Sequence, residues 1–419
     1  MTFKQQVIHR YPALASRDFT IFWVGQFISL IGTWMQNTTQ PYLAYRLSGQ
    51  PFDLGLIGFA GALPTLLLAL PGGVLVERLD KRKTVIIMQA VMMLQAFILA
   101  ALALTGMIQI WHIVILAFLL GTATSIEITA RQAMLIELVG KGALPNAIAL
   151  QSTIFNAARV IGPSLVVPFL IFIQGSGEGW AFLANGVSYL FIIVSLFFVN
   201  TPFKIEPNRE KRDLWNEFRE GQAYIKKTRL VALIILMAAV LGFVGFPLLQ
   251  QIPVIARDVL AQAGDTEPLR AARNSALYTA QGIGALVAAL ALASFNPKRK
   301  GLMLAAGQMT FVVSVLILSF TRNVPVTLVL IMLIGWGTVT ALATMNTLIQ
   351  LEVPDHLRGR VFSTYLWALQ GVAPFGSLFV GWLAQNWGVP LSALICGLFC
   401  LVILGGIQLW YPEIRTRVL

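Results

Sequence analysis

Charge is scarce in this chain. Only 11% of its 419 residues are Asp, Glu, Lys or Arg, whereas a soluble domain carries about 25%. With 57% hydrophobic residues, it cannot cover a surface against water, which excludes an ordinary soluble fold. Cysteine is nearly absent. Cys396 and Cys400 stand one helical turn apart in the last apolar stretch, a poor geometry for a disulfide, and read as small packing residues. Three scattered histidines (His9, His112 and His356), with no HExxH or CxxC pattern, offer no metal site. No nucleophile–base pair stands out, and Gly282-Ile283-Gly284 lies within an apolar run rather than in a phosphate-binding loop. The expectation is therefore no enzyme and no cofactor. The polar Met1–Arg17 segment lacks the apolar core of a cleaved signal peptide.

What the chain has is long runs almost free of charge, of the length a bilayer requires, roughly 20 residues each. Twelve spans are expected, near 20–45, 54–76, 84–105, 110–130, 147–173, 179–200, 230–255, 274–295, 301–321, 325–347, 361–386 and 390–411. The last two look like one run, but Asn386-Trp387-Gly388-Val389-Pro390 supplies a turn. If the N-terminus is cytoplasmic, the inward breaks hold 24 of the 30 basic residues and the outward breaks five. Cationic loops resist translocation, so this asymmetry fixes the topology with both termini cytoplasmic. The net charge of +12 is spread over many short breaks. A nucleic-acid binder would gather it on one face, so the expected partner is the bilayer and its anionic inner leaflet.

One break is longer than the others. Residues 201–229 carry eight basic and five acidic residues and divide the chain. The expected parts are a cytoplasmic segment 1–19, a six-helix bundle 20–200, a linker 201–229, a second six-helix bundle 230–411 and a tail 412–419. Leu214–Lys227 places Leu214, Phe218 and Tyr224 toward one side, so either a surface-lying helix or a solvated linker is expected there. An internal repeat supports the division. Ser152, Asn156, Arg159 and Pro163 in span five recur as Ser363, Trp367, Gln370 and Pro374 in span eleven, at a constant offset of 211. The fold class is thus an all-α membrane protein of twelve transmembrane helices in two pseudo-symmetric six-helix bundles. Parallel repeats of this kind place a site at their interface, near the midplane.

Between spans two and three lies Gly73-Val-Leu75-Val-Glu77-Arg78-Leu-Asp80-Lys81-Arg82-Lys83. This stretch resembles the loop signature of the major facilitator superfamily, G-x-L-x-D-R-x-G-R-[RK], with Glu77 for Asp and Asp80 for the second Gly. Gly25-Gln26 and Gly32-Thr33-Trp34-Met35-Gln36-Asn37 narrow the resemblance. Ala130-Arg131-Gln132, Asn146-Ala147, Asn156-Ala157-Ala158-Arg159, Gly162-Pro163 and Arg358-Gly359-Arg360-Val361 do so too. They are similar to the branch holding the enterobactin exporter and drug–proton antiporters, and the likeness covers nearly the whole chain. It implies the major facilitator fold and alternating access. Gly73, Glu77, Arg78, Asp80, Lys81 and Arg82 would form a cytoplasmic gate, with Glu77 facing the N-terminus of span eleven, whose free amides favour an anion. The basic residues beside Glu77 would pair across the two halves.

Polar residues within the spans outline a pathway. Gln26, Ser29, Thr33, Asn37 and Gln40 form a stripe down span one, as do Thr122, Ser125 and Thr129 in span four, and Thr340, Thr344 and Thr347 in span ten. Such stripes either line a cavity or join helices. Glu127 is four residues before Arg131, so it is either a structural pair or a proton carrier. Arg159 lies deep in span five. An intramembrane charge costs about 2.5–3.5 kcal/mol and faces a partner, helix carbonyls or a wet cavity. The substrate and proton pathway is therefore expected at Gln26, Thr33, Trp34, Asn37, Glu127, Asn156, Arg159, Trp367 and Gln370, with Gly162, Pro163 and Pro374 bending helices. The expected function is secondary active transport. Proton-coupled export of an amphipathic small molecule, a siderophore or drug, is what the resemblance implies, from a monomer in a bacterial inner membrane. A lipid or lysophospholipid transporter of the same superfamily and a non-transporting membrane sensor or scaffold stay open.

Overall fold

The computed structural model describes residues 11–68, 79–173, 175–203, 214–295 and 299–416. Every regular element among them is helical. Nine helices are long and apolar enough to cross a membrane, and two of these are double. The Ile110–Phe172 helix turns at Gly140 (φ 72°), and the helix ending at Cys400 turns at Gly388 (φ 77°). Both glycines occupy the left-handed region that a Cβ disfavours. Arg17–Ser48, whose polar stripe lowers its hydropathy, brings the crossings among the described residues to twelve. The turn at Gly388 falls where the sequence places it. Span four differs from expectation. It does not end near residue 130 but runs as helix to Gly140, because Ala130, Met134, Leu135 and Leu138 are buried in the core of its unit.

The chain forms two compact units. The first is Met1–Leu43 with Leu67–Arg209. One end of it is closed by an apolar cluster in which Phe19 and Phe22 meet Val85, Ala130, Met134, Ile192 and Leu196. A short 3-10 turn, Pro12–Ala15, joins that cluster. Its Ala13 amide donates to Asn146 Oδ1 (3.1 Å), and Ser16 Oγ donates to the Leu138 carbonyl (2.9 Å). Asp18 fastens span one to the end of span six. Its Oδ2 accepts from the Asn200 and Thr201 amides and from the Thr201 hydroxyl, at 2.7–2.9 Å. Burial opposes that charge, yet these bonds and the neighbouring Arg17 hold the carboxyl below its ordinary range.

The second unit is Ala44–Leu66 with Glu210–Leu419, so it takes in the far end of span one and most of span two. Glycine explains this grouping. A Cβ on Gly55 would come within 2.3 Å of the Ser377 carbonyl, and one on Gly58 within 2.0 Å of Gln250 Oε1. Leu214–Lys227 is a helix. It docks on the start of span eleven rather than standing free. Gln222 Nε2 donates to Thr364 Oγ1 (3.0 Å), Tyr224 OH donates to the Glu352 carbonyl (3.1 Å), and Glu220 pairs with Arg360.

Candidate functional site

In the first unit, span five lies against span one at Gly162. A Cβ there would come within 2.6 Å of Trp34 Cβ and 2.8 Å of the Ile31 carbonyl, so a residue with a side chain would push the helices apart. This approach sets the Arg159 guanidinium over the Trp34 indole, 5.1 Å from its centroid, within cation–π range. Phe155, one turn before Arg159, meets the same indole edge-on at 5.6 Å. The Arg159 Nε–H is buried without a hydrogen-bond partner, and no carboxylate pairs with Arg159 among the described residues. It is a cation backed by aromatic faces and left uncompensated. Phe155 and Asn37 are exposed, so this corner opens outward from the unit's core.

The other expected residues of this unit divide. Asn156 is turned onto its own helix, its Nδ2 donating to the Ser152 carbonyl at 2.8 Å. Thr33 donates to the Ser29 carbonyl (2.9 Å) and meets Tyr189 OH at 3.3 Å. Gln26 is 3% exposed. Thr122, Ser125 and Thr129 bond back to carbonyls of span four. Glu127 is buried, and its Oε1 accepts from Arg131 Nε (3.0 Å) and Gln89 Nε2 (3.3 Å). Gln89 in turn lies 3.5 Å from Ser29 Oγ, so a polar chain links span four to span one.

The stripe drawn from the sequence omits the hub of the unit's buried polar network, Gln36. Its Nε2 donates to Gln40 (2.9 Å) and Gln95 (3.1 Å), and its Oε1 accepts from Asn185 Nδ2 (2.7 Å). These amides join spans one, three and six. The signal in the sequence was the i,i+4 pair Gln36 and Gln40, together with lone amides in otherwise apolar helices.

Of the gate residues, Gly73, Glu77 and Arg78 lie outside the described residues. Asp80 is the N-cap of Lys81–Leu104, accepting from the Lys83 amide at 3.0 Å. At φ −64° it needs no glycine, which accounts for Asp at a position where the family signature has Gly. Lys81 pairs with Glu137, and Arg82 donates to the Phe197 carbonyl at 3.1 Å. Both cations find these partners inside their own unit: Lys81 because span four continues far enough to present Glu137 beside span three, and Arg82 at the end of span six.

In the second unit, Trp367 and Gln370 are exposed and belong to a π turn, Trp367–Gly371, in span eleven. Pro374 lacks the amide that would bond the Gln370 carbonyl, which favours such an irregular turn. A second π turn, Leu241–Gly245 of span seven, packs against it. A Cβ on Gly242 would lie 2.0 Å from the Leu369 carbonyl, and one on Gly376 2.0 Å from the Phe243 carbonyl. Span five has the equivalent Pro163 yet continues as α-helix, so the sequence repeat is not a repeat of backbone geometry.

A bundle of membrane-crossing helices with an intramembrane cation is an architecture that membrane transporters use. The chain belongs to the family of transmembrane secretion effectors, within the major facilitator superfamily, whose model matches residues 9–416. It is a multi-pass membrane transporter. It is 23% identical to the multidrug efflux pump Tap of Mycolicibacterium fortuitum, over 90% of this chain and 91% of that protein. It is 26% identical to the staphyloferrin A transporter of Staphylococcus aureus, over 90% and 92%. Likeness to the enterobactin exporter EntS of Escherichia coli is 21%, over 92% and 90%. Among solved structures, a mutant of the nucleoside transporter NupG shares the fold with a TM-score of 0.72 at 11% identity, covering 94% of this chain and 99% of that one.

Proposed function

We propose that this transporter exports an amphipathic organic anion, in the manner of siderophore and drug exporters, in exchange for protons. The observation that carries the reading is Arg159, a buried guanidinium with a partnerless Nε, stacked on Trp34. Such a charge is retained at a cost that an anionic ligand would offset, and the aromatic faces of Trp34 and Phe155 fit that ligand's apolar body. Relatives named for multidrug efflux, for staphyloferrin A transport and for enterobactin export support transport of a small molecule, with export as the direction of two of the three. Glu127 is the group we assign to proton exchange, since it is a buried carboxylate joined through Gln89 to span one. We read the basic breaks as cytoplasmic, which supports a bacterial inner-membrane transporter with both termini in the cytoplasm.

A pH jump in proteoliposomes, with a panel of organic anions, cationic dyes and labelled lipid, tests this. Anion flux driven by the proton gradient is expected. Flux of labelled lipid alone would instead identify a lipid transporter, and no flux of any organic anion would overturn the anion reading. Glu127→Gln should abolish gradient-driven flux while leaving anion binding intact. Loss of both together would remove Glu127 from proton coupling and make it a structural pair.

A further inference from the structure

Spans one and five run parallel and in register. Trp23 Nε1 donates to the Leu150 carbonyl at 3.1 Å near one end, and Trp34 meets Gly162 further along. In that register Gln26 of span one and Gln151 of span five stand at nearly one depth on adjoining helices. Both amide atoms of Gln151 and the Oε1 of Gln26 are buried without any hydrogen-bond partner. Buried amides are satisfied in the great majority of cases, so unsatisfied ones at the same depth call for a missing partner. Arg159 lies eight residues beyond Gln151, about 12 Å along the helix at 1.5 Å per residue.

We propose that Gln26 and Gln151 form a second polar station of the transport site, taking a neutral hydroxyl or amide group of the ligand. The inference rests on the anion reading of Arg159, and it sets the ligand's shape. The anionic group sits at Arg159, an apolar stretch lies along the seam, and a donor–acceptor group follows about 12 Å away. Gln151 offers a donor and an acceptor, and Gln26 adds an acceptor, so a hydroxyl or primary amide is matched and a hydrocarbon terminus is not. A hydrocarbon there would leave the same amide atoms unpaired.

The test uses the full-length protein in proteoliposomes and a matched pair of radiolabelled aryl carboxylates. One ends in a primary amide about 12 Å from the carboxylate, and the other in an isopropyl group of the same shape. Wild type should favour the amide probe by about fivefold in KM, the worth of one net hydrogen bond. Gln151→Leu should erase that preference while still carrying the isopropyl probe, and thermal stability should hold, since two unsatisfied atoms are removed. Gln26→Leu provides the same readout if Gln151→Leu does not fold. A wild type without preference, or a preference that survives both variants, would overturn the station and leave only buried water at these amides. Arg159→Gln separates the two readings. It should weaken both probes alike, and no effect on either would sink the anion reading itself.

Discussion

Arg159 and Trp34 are each legible in the sequence, the first as a charge too deep for topology and the second as an aromatic in a polar stripe. Their meeting is not legible, because it depends on Gly162, which reads only as a bend. The close approach of spans five and one makes a sharp demand on that glycine. Gly162→Ala places a methyl group 2.6 Å from Trp34 Cβ and 2.8 Å from the Ile31 carbonyl. Overpacking of this kind costs about 1–3 kcal/mol. The expected outcome is a lower melting temperature together with weakened anion binding, as Arg159 is carried off its aromatic backing. Thermal denaturation and ligand titration on one detergent-solubilised sample check both. Asn156 shows the opposite limit: its spacing marks it as pathway, but an amide four residues after a serine can bond its own helix, and here it does. Gln36 lies off the stripe, so spacing does not mark it, although it carries more side-chain bonds than the residues on the stripe.

At the scale of elements, the spans were readable because hydrophobic length and positive breaks reflect the bilayer directly. The end of span four is not legible, since helical residues 130–139 leave the apolar run but bury their core-facing side. The π turns were invisible, because they depend on packing between spans seven and eleven rather than on composition. Two of the five basic residues in the breaks expected to face outward also acquire a reason. Arg257 pairs with Glu267 at 2.6 Å, and Arg273 binds Asp265 through both terminal nitrogens at 2.8 Å while donating to the Ala256 carbonyl. They brace the connection between spans seven and eight. The Arg273 hydrogen bonds, helped by the Gln262 amide and the charges of Arg273 and Arg270, hold the Asp265 carboxyl below its ordinary range. The folded state therefore binds that proton less readily than the unfolded chain. The stability it lends is full above the ordinary carboxylate pKa of about 3.9 and is lost as pH falls through the depressed value. Asp265→Asn should lower the melting temperature at neutral pH and narrow its gap from wild type in acid. A gap independent of pH would contradict this.

For the whole molecule, twelve crossings follow from the pattern of runs, and the chain's contacts gather into the two compact units described above. Their membership did not follow. Ala44–Leu66 belongs with the second unit because Gly55 and Gly58 admit neighbouring backbone and side chain, and a sequence gives no sign of which distant helix a glycine will meet. Transport adds a requirement that neither unit meets by structure alone, namely a reason to keep an uncompensated cation inside a membrane protein. Efflux from proteoliposomes of Arg159→Ala, with anionic and cationic dyes of matched size compared side by side, tests that reason most directly. Anion efflux is expected to fall by at least about tenfold, as for losing a charge-assisted contact, while cationic dyes move at near the wild-type rate. Equal loss for both would show that Arg159 holds the fold and does not select the substrate.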